Sequence, residues 1–341
     1  MPDTTHHITP EEAGQTLAAL VRRWSPELSW NEARGVVERR RVLVNGNLCL
    51  DPARRVKERD VVKITAHAQK KPPDQLQIQL RHLDPHIVVV EKPAGVTTVR
   101  HPEEDDWNDR RKQIQPTLDE LLPKVIAREE RFHTPGRPLH GPRRGQRGSL
   151  PPVRAVHRLD RDTSGLMVFA RTVEAERHLG AQFKKHTILR VYRAIVHGRV
   201  VQPLRLESVL LRDRGDGRRG SASTEGQTGK RAVTHVQPIE TLQHYSLVEC
   251  RLETGRTHQI RIHLAEQGHV LCGEKVYNRP LFGEELPDAS GAPRIALHAM
   301  ELGFIHPATQ VQMRFSMPFP EELQKLWNRL KASDSPKRQN G

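Results

Sequence analysis

The sequence predicts an α+β protein: a long mixed, mainly antiparallel sheet flanked by helices, preceded by a small αα-hairpin-type domain. Two observations point there. Beyond residue 80, apolar segments with strand-like alternation follow one another with few helices between them, which is the pattern of antiparallel rather than doubly wound sheets. Before residue 66, two short amphipathic segments lead into a hairpin signal. At 341 residues, the chain can give both units a core without a disulfide or metal staple.

The elements follow in order. Residues 14–66 form the small domain. "GQTLAALVRRW" carries Leu17, Leu20 and Val21 at helical spacing, and "SWNEARGVVERR" repeats the pattern with Val36 and Val37. "RVLVNGNLCL" alternates across Asn45-Gly46, a two-residue hairpin turn, and "RVKERDVVKIT" supplies a closing strand. Residues 67–79, polar and carrying two prolines, are expected to be a linker. The main domain, 80–328, opens with the strand "HIVVVEKPAG", and "PTLDELLPKVIAREE" brings a helix with Leu118, Leu121 and Leu122 on one stripe. Strands at "GLMVFART", "ILRVYRAIVHG", "AVTHVQPIE", "YSLVECRLETG", "ALHAMELGFIHP" and "QVQMRFSMP" alternate with helices at "TVEAERHLGAQFKKH" and "RTHQIRIHLAEQGHV". Insertions are expected at 102–153 and 211–229, the second within a low-complexity loop (211–231), and a disordered tail at 329–341.

Lys and Arg number 55 against 41 Asp and Glu, a net charge of +14. Such an excess favours an anionic partner, and nucleic acid is the commonest for a chain of this kind. The longest apolar runs fall far short of the roughly 20 residues that cross a bilayer, and "MPDTTHHITPEEAG" has no apolar core for a secretory signal. Cys49, Cys250 and Cys272 are scattered without a C-x-x-C pair. That spacing fits a reducing cytoplasm without structural zinc.

Chemistry concentrates at "HRLDRDTSG" (157–165). Between Arg131 and Arg161 stand eight arginines and one acid, Asp160, among five prolines and four glycines. This is a basic loop delivering the chain to a charged turn at the mouth of an apolar strand. A solvated turn is one explanation; a carboxylate held among cations to act on a polyanion is the other.

"HRLDRDTSG", "RVYRAIVHG" (190–198) and "LETGRTHQIRIHLAEQGH" (252–269), with "EKPAG" at 91–95 and "ALHAMELGFIHP" at 296–307, together resemble a pseudouridine synthase of the RluA type over about residues 80–325. The first fifty residues resemble the small RNA-binding module first described in a ribosomal small-subunit protein, although Gly14-Gln15-Thr16 stands where that module usually opens with Arg-Leu-Asp. The resemblance implies a pseudouridine synthase catalytic fold and a cofactor-free, metal-free RNA isomerase, monomeric in the cytoplasm, acting on ribosomal or transfer RNA. It implies Asp160 as catalytic carboxylate, Arg261 as its cation and Tyr192 as the surface on which a displaced uracil stacks. RNA contacts are implied for Arg158, which fills the gap left by the extruded base, for Arg256 and His258, and for Arg34, Arg39, Arg40 and Arg41 of the module. Two departures are visible. Arg190 replaces a frequent Lys, and "GHVLCGEKVY" places Val270 and Glu274 where Pro and Asp are usual; both are expected to be packing or helix-end changes away from the site.

The physical requirements agree with these roles. Taking a base out of its stack costs a few kcal/mol, and stacking it on an aromatic ring returns about 1–3 kcal/mol. A nearby guanidinium lowers a carboxylate pKa by roughly 1–3 units and so keeps it ionised when desolvated. An aspartate acting only as a general base supplies about 10²–10⁴-fold, too little alone, so covalent participation or tight positioning must be added. Attack on the base, attack on the sugar and removal of a ribose proton all remain open. Among rivals, Asp160 and Asp162 as a glycosidase pair are two residues apart on a turn, which fixes no separation. His258 and His263 lie five apart, off a common helical face, and no H-E-x-x-H or phosphate-binding glycine motif occurs. A non-catalytic RNA-binding or ribosome-assembly protein on the same fold would be free to lose Asp160, Tyr192 or Arg261, all of which are present. Hydrolysis of the base–sugar bond would release free uracil.

Overall fold

The structure is a computed structural model that describes residues 3–45, 47–68, 78–100, 104, 112, 115–132, 151–215, 218–222, 228–279 and 284–334. Most of the basic tract before Arg154, most of the expected linker and residues 335–341 lie outside them.

The N-terminal unit packs helices α1 (Leu17–Trp24) and α2 (Trp30–Glu38) on a four-stranded sheet of β1 (Thr4–His7), β2 (Val42–Val44), β3 (Asn47–Cys49) and β4 (Val61–Ile64), in the order β1-β4-β2-β3. Each helix starts where a hydroxyl caps it. Thr16 accepts from the Ala19 N–H, and Ser29 forms a reciprocal capping box with Glu32. Leu17, Leu20, Val21, Val36 and Val37 are buried as the helical spacing requires. Strand β1 has no sequence signal: "TTHH" is polar, and only pairing with β4 from Thr4–Ile64 to His7–Val61 makes it a strand.

The second sheet has eleven strands. Strands β5 (Gln79–Leu83), β6 (Ile87–Lys92), β7 (Arg154–Ala155), β8 (Ser164–Ala170), β9 (Leu189–His197), β10 (Leu204–Leu211), β11 (Gly220–Ser221), β12 (Lys230–Thr241), β13 (Tyr245–Leu252), β14 (Leu297–Ile305) and β15 (Gln312–Ser316) run along it. The main path is β11-β10-β12-β13-β9-β14-β8-β6-β5, and β14 beside β8 is the one parallel pair among the described strands. Alternation sends successive side chains to opposite faces. Val88, Val90, Met167 and Phe169 join one core with α3 (Leu118–Phe132) and α5 (Gln259–Glu266); Ile87, Val89, Leu166 and Val168 join another with α4 (Val173–Lys184). A third core, beneath Ile195 and Leu247, receives α6 (Glu321–Asp334). Burial on both faces is why "IVVV" and "LMVFA" are apolar throughout.

Two expectations are corrected here. Residues 329–334 are not part of a disordered tail but the last turns of α6, whose Trp327 and Leu330 are buried; the stripe Leu323, Leu326, Trp327, Leu330 carries the helix past the expected boundary. The 211–229 segment is not loop throughout, because Gly220–Ser221 folds back onto Leu210–Leu211 and Arg218 is buried. At the far edge, Asp84 ties the β5–β6 turn to the end of β14. Its Oδ1 accepts the His86 and Ile87 N–H groups, and its Oδ2 lies 2.6 Å from His82 Nε2 and 2.9 Å from His306 Nε2.

One row across the sheet sets up the active region. Cys250 pairs with Tyr192, Tyr192 with Ala299, and Ala299 with Gly165, so Tyr192 and the end of the "HRLDRDTSG" turn share a register line. Gly165 sits at φ +127°, and a Cβ there would fall 2.6 Å from the Ala299 amide nitrogen and closer still to its carbonyl. Replacing Gly165 with Ala combines backbone strain with overpacking, and is expected to cost about 3 kcal/mol. The measurement is the urea midpoint of unfolding; an unchanged midpoint would show that the β8–β14 contact tolerates a side chain.

Candidate active site

The charged turn is held from behind by groups the motif does not contain. Lys92, at the end of β6, is fully buried, and its Nζ donates to the carbonyls of Pro93 (2.9 Å), Arg161 (2.9 Å) and Thr163 (2.7 Å). Three donors meet three acceptors, two of them on the turn itself. Burial lowers this ammonium to about 7, against the pull of Asp162 and Asp160. Thr98 Oγ1 accepts from the Leu159 N–H and donates to the Leu159 carbonyl. The Thr163 N–H closes the turn on the Asp160 carbonyl. "EKPAG" is therefore the scaffold that aims Asp160.

Helix α5 aims the opposing side chains. Gln259 pins its start: Oε1 accepts from Thr254 Oγ1 and the Arg256 N–H, while Nε2 donates to the Val233 carbonyl and Thr234 Oγ1. His258, just before the helix, adopts the left-handed conformation (φ 59°), sparsely used by non-glycine residues and common where function constrains the chain. Its Nδ1 is 2.7 Å from the Tyr277 hydroxyl and its Nε2 3.7 Å from Asp160 Oδ1.

Arg261 joins the two halves. Its Nε and Nη2 form a two-pronged pair with Glu274 at 2.7 and 2.8 Å, and its Nη1 lies 3.5 Å from Asp160 Oδ2. Glu274 Oε1 also accepts the N–H groups of Lys275, Val276 and Tyr277. The expectation that Glu274 is a packing change away from the site is overturned, because it is the anchor of the central cation. The reason is chemical: a glutamate reaches the guanidinium with the same two oxygens as an aspartate. No local signal in "GEKVY" announces this, since the partner is thirteen positions away.

Burial raises the carboxyl of Asp160, but His258, Arg261 and Arg158 outweigh it, and the group lies below its ordinary range. His258 itself is lowered to about 4 by burial, despite Asp160, so the cations facing Asp160 at neutral pH are Arg261 and Arg158. Burial likewise opposes ionisation of Glu274, yet Arg261 and the backbone N–H groups hold it at about 2. Tyr192 is pushed up to about 12 by burial and is a neutral phenol.

Asp160, Tyr192, Arg261, His258, Arg256 and Arg158 line a single pocket of about 410 Å³, within the roughly 300–1,000 Å³ of small-ligand sites. Arg158 is exposed at its mouth, and Arg256 is half-buried with Nε on the Arg231 carbonyl. The four module arginines differ in exposure. Arg34 is exposed on α2 and Arg39 is exposed just past its end, Arg41 turns inward with Nε on the Thr65 carbonyl, and Arg40 is half-buried. Burial, with Arg161 nearby, lowers Arg40 to about 10. Arg190 is buried and also lines this pocket, with Nη2 on the Glu253 carbonyl and Gly255 offering no side chain to block it, so the expectation that this departure lies away from the site is overturned as well. Among the described residues, His82, Asp84 and His306 form a cluster with metal-ligand spacing. However, His306 Nδ1 receives the Ala308 and Thr309 N–H groups, which places its proton on Nε2 toward Asp84. The cluster is thus accounted for as a hydrogen-bonded latch.

The family model described as RNA pseudouridylate synthase matches residues 86–266, and the S4 domain model matches 15–62. A ribosomal large subunit pseudouridine synthase D of Zymomonas mobilis is 35% identical over 98% of this chain and 99% of its own. One of that name from Pseudomonas aeruginosa is 31% identical over 93% and 92%. Among solved structures, human RNA pseudouridylate synthase domain containing 4 superposes with a TM-score of 0.55 at 20% identity, over 74% of this chain and 92% of that one, a likeness of fold. Matched over more than half its length, and by relatives along nearly all of it, the chain belongs to the RNA pseudouridylate synthase family, with an S4 domain at its N-terminus.

Proposed function

We propose that this synthase converts uridine to pseudouridine in ribosomal RNA of the large subunit, as a monomer in the cytoplasm. The relatives named for the large subunit span nearly the whole chain. The cysteines Cys49, Cys250 and Cys272 are all buried free thiols, which suits a reducing compartment. Among the described residues no helix is long and apolar enough to cross a membrane. The reaction breaks the N1–C1′ bond of uridine and forms a C5–C1′ bond. The proton lost from C5 is balanced by one gained at N1. No electrons are exchanged, so the chemistry itself calls for neither cofactor nor metal.

In this reading Asp160 is the catalytic carboxylate, Arg261 its ion partner, Tyr192 the ring on which the extruded uracil stacks, and Arg158 the residue that supports extrusion. Arg256 and His258 contact the RNA at the pocket, and Arg34, Arg39, Arg40 and Arg41 belong to the module's RNA-binding face. One observation carries it: Asp160 is ionised, yet among the described residues its side-chain contacts are long, 3.5 Å to Arg261 and 3.7 Å to His258. A short hydrogen bond would hold the oxygen's lone pairs; a contact at this distance keeps the charge and leaves the oxygen available. Attack on the sugar, attack on the base and removal of a ribose proton all require such an oxygen. Arg261 stays loose on Asp160 because its short bonds go to Glu274.

Replacing Asp160 with Asn is expected to reduce pseudouridine formation by at least about 10⁴-fold, with RNA affinity changed less than about threefold. The check is a pseudouridine map of total RNA from cells carrying wild type or variant. Sites lost only from large-subunit RNA support the assignment. Sites lost from transfer RNA would move the substrate, and normal turnover by the variant would remove Asp160 from the chemistry.

Replacing Glu274 with Gln leaves Arg261 buried with Asp160 alone, at an expected cost of about 3–5 kcal/mol in stability. Because Glu274 is held near 2 rather than its ordinary 4.5, its contribution is complete above about pH 4.5 and fades as pH falls toward about 2. Urea unfolding across this range should therefore show wild type and variant converging at low pH. A gap independent of pH would mean that the pair contributes no charge-dependent stability.

A further inference from the structure

A second cavity, of about 230 Å³, lies between the S4 sheet and the catalytic domain. Thr5, Leu43, Val61 and Lys63 of β1, β2 and β4 form one wall; the β10–β11 segment and the turn after Glu274 form the other. Among the described residues its lining carries six cations, Lys63, Arg212, Arg218, Arg219, Lys275 and Arg279, against one acid, Glu285. A solvated basic face spreads its charges into water. Here Lys63 and Arg218 are buried in the lining of a concave space, while Arg212, Lys275 and Arg279 are exposed. Lys63 has carboxylates only at 3.7 Å (Glu285) and 3.8 Å (Asp3), beyond short hydrogen bonds. Among the described residues, Arg212, Arg219 and Lys275 have no carboxylate within 4 Å.

This cavity is not remote from the chemistry. His258 lines both it and the catalytic pocket. A smaller space of about 100 Å³ shares lining with both, Asp160, Arg261 and His258 with the catalytic pocket and Leu43, Asn45 and Lys275 with this cavity. Arg219 is close enough for its charge to be felt at His258 and Tyr277. The module is joined to this wall by Arg218 Nη2 at 3.5 Å from His7 and by Arg59 at 3.7 Å from Asp213.

We propose that this cavity is a phosphate subsite for the RNA strand adjoining the target uridine, completed only when the S4 sheet closes it. The inference rests on the RNA-isomerase reading above and adds where the backbone beside the extruded nucleotide is held. The strand leaves the catalytic pocket past His258 and enters the basic space, where guanidinium groups and Lys275 meet phosphate oxygens in the geometry these donors favour. The S4 module thereby becomes a wall of the substrate site, and its contribution to binding is made beside the reacting base.

The test uses the full-length enzyme and an RNA fragment containing its target uridine. The double variant R219Q/K275Q should bind about tenfold more weakly, and its log–log salt slope should be shallower by about one to two, as two lost phosphate contacts require. The double variant R314Q/K325Q, which removes two charges from exposed positions elsewhere, should keep the wild-type slope. A scan of single neutral methylphosphonate linkages flanking the uridine should find one or two that weaken wild type but not R219Q/K275Q, the coupling expected of a direct contact. If R219Q/K275Q fails to fold, the scan on wild type decides: no sensitive linkage overturns the proposal. An unchanged salt slope in a folded variant also overturns it, and leaves the cavity to a partner of another class, such as an acidic protein surface. Absence of pseudouridine formation by wild type on any RNA would instead overturn the functional reading, which separates the two failures.

Discussion

One buried cation, Arg261, holds the site together. At an effective dielectric of about 20, two unit charges about 4 Å apart attract by about 4 kcal/mol, while burying each ion costs several kcal/mol. A single loosely placed carboxylate could not hold a guanidinium in this interior. Two can, and they divide the task. Glu274 takes the short two-pronged bonds at 2.7 and 2.8 Å, and Asp160 takes only the residual field at 3.5 Å. The asymmetry leaves one carboxylate locked and the other charged but accessible.

Around that chain the fold supplies rigidity from two directions. The β6 end and the "EKPAG" turn hold the Asp160 loop through Lys92 and Thr98, and Gln259 fixes the start of α5 to β12. Tyr192 comes from the middle of the large sheet, two strands from Gly165 on the same register line. Each group in the pocket thus stands on an element buried for other reasons, the arrangement that keeps a reacting geometry within small tolerances.

Most of the fold was legible because the core strands are apolar on both faces and the helices carry capped, periodic stripes. What escaped did so for physical reasons. Strand β1 is made by its partner and not by its own residues, and the end of α6 is set by Trp327 and Leu330 packing under β9 and β13. Asp160, Arg261 and Tyr192 were legible as motif positions, and they do meet in one pocket. Glu274, Tyr277 and Gln259 were not, because their significance lies in hydrogen bonds to residues distant in the chain or hidden inside a motif. Lys92 stands between: "EKPAG" was recognisable, but only the three carbonyls around its ammonium show what it does.

The module arginines were legible as charge but not as geometry. Arg39 is exposed, Arg40 is half-buried with φ of +65°, and Arg41 donates to the Thr65 carbonyl, so three adjacent cations have different surroundings. Charge in a sequence counts cations without saying where they point. The central claim, that Asp160 is held ionised by a cation anchored elsewhere, is open to direct measurement. Carboxyl-carbon NMR of the selectively labelled enzyme should give Asp160 a titration midpoint below the ordinary aspartate value of about 4. A midpoint at or above that value would contradict the account.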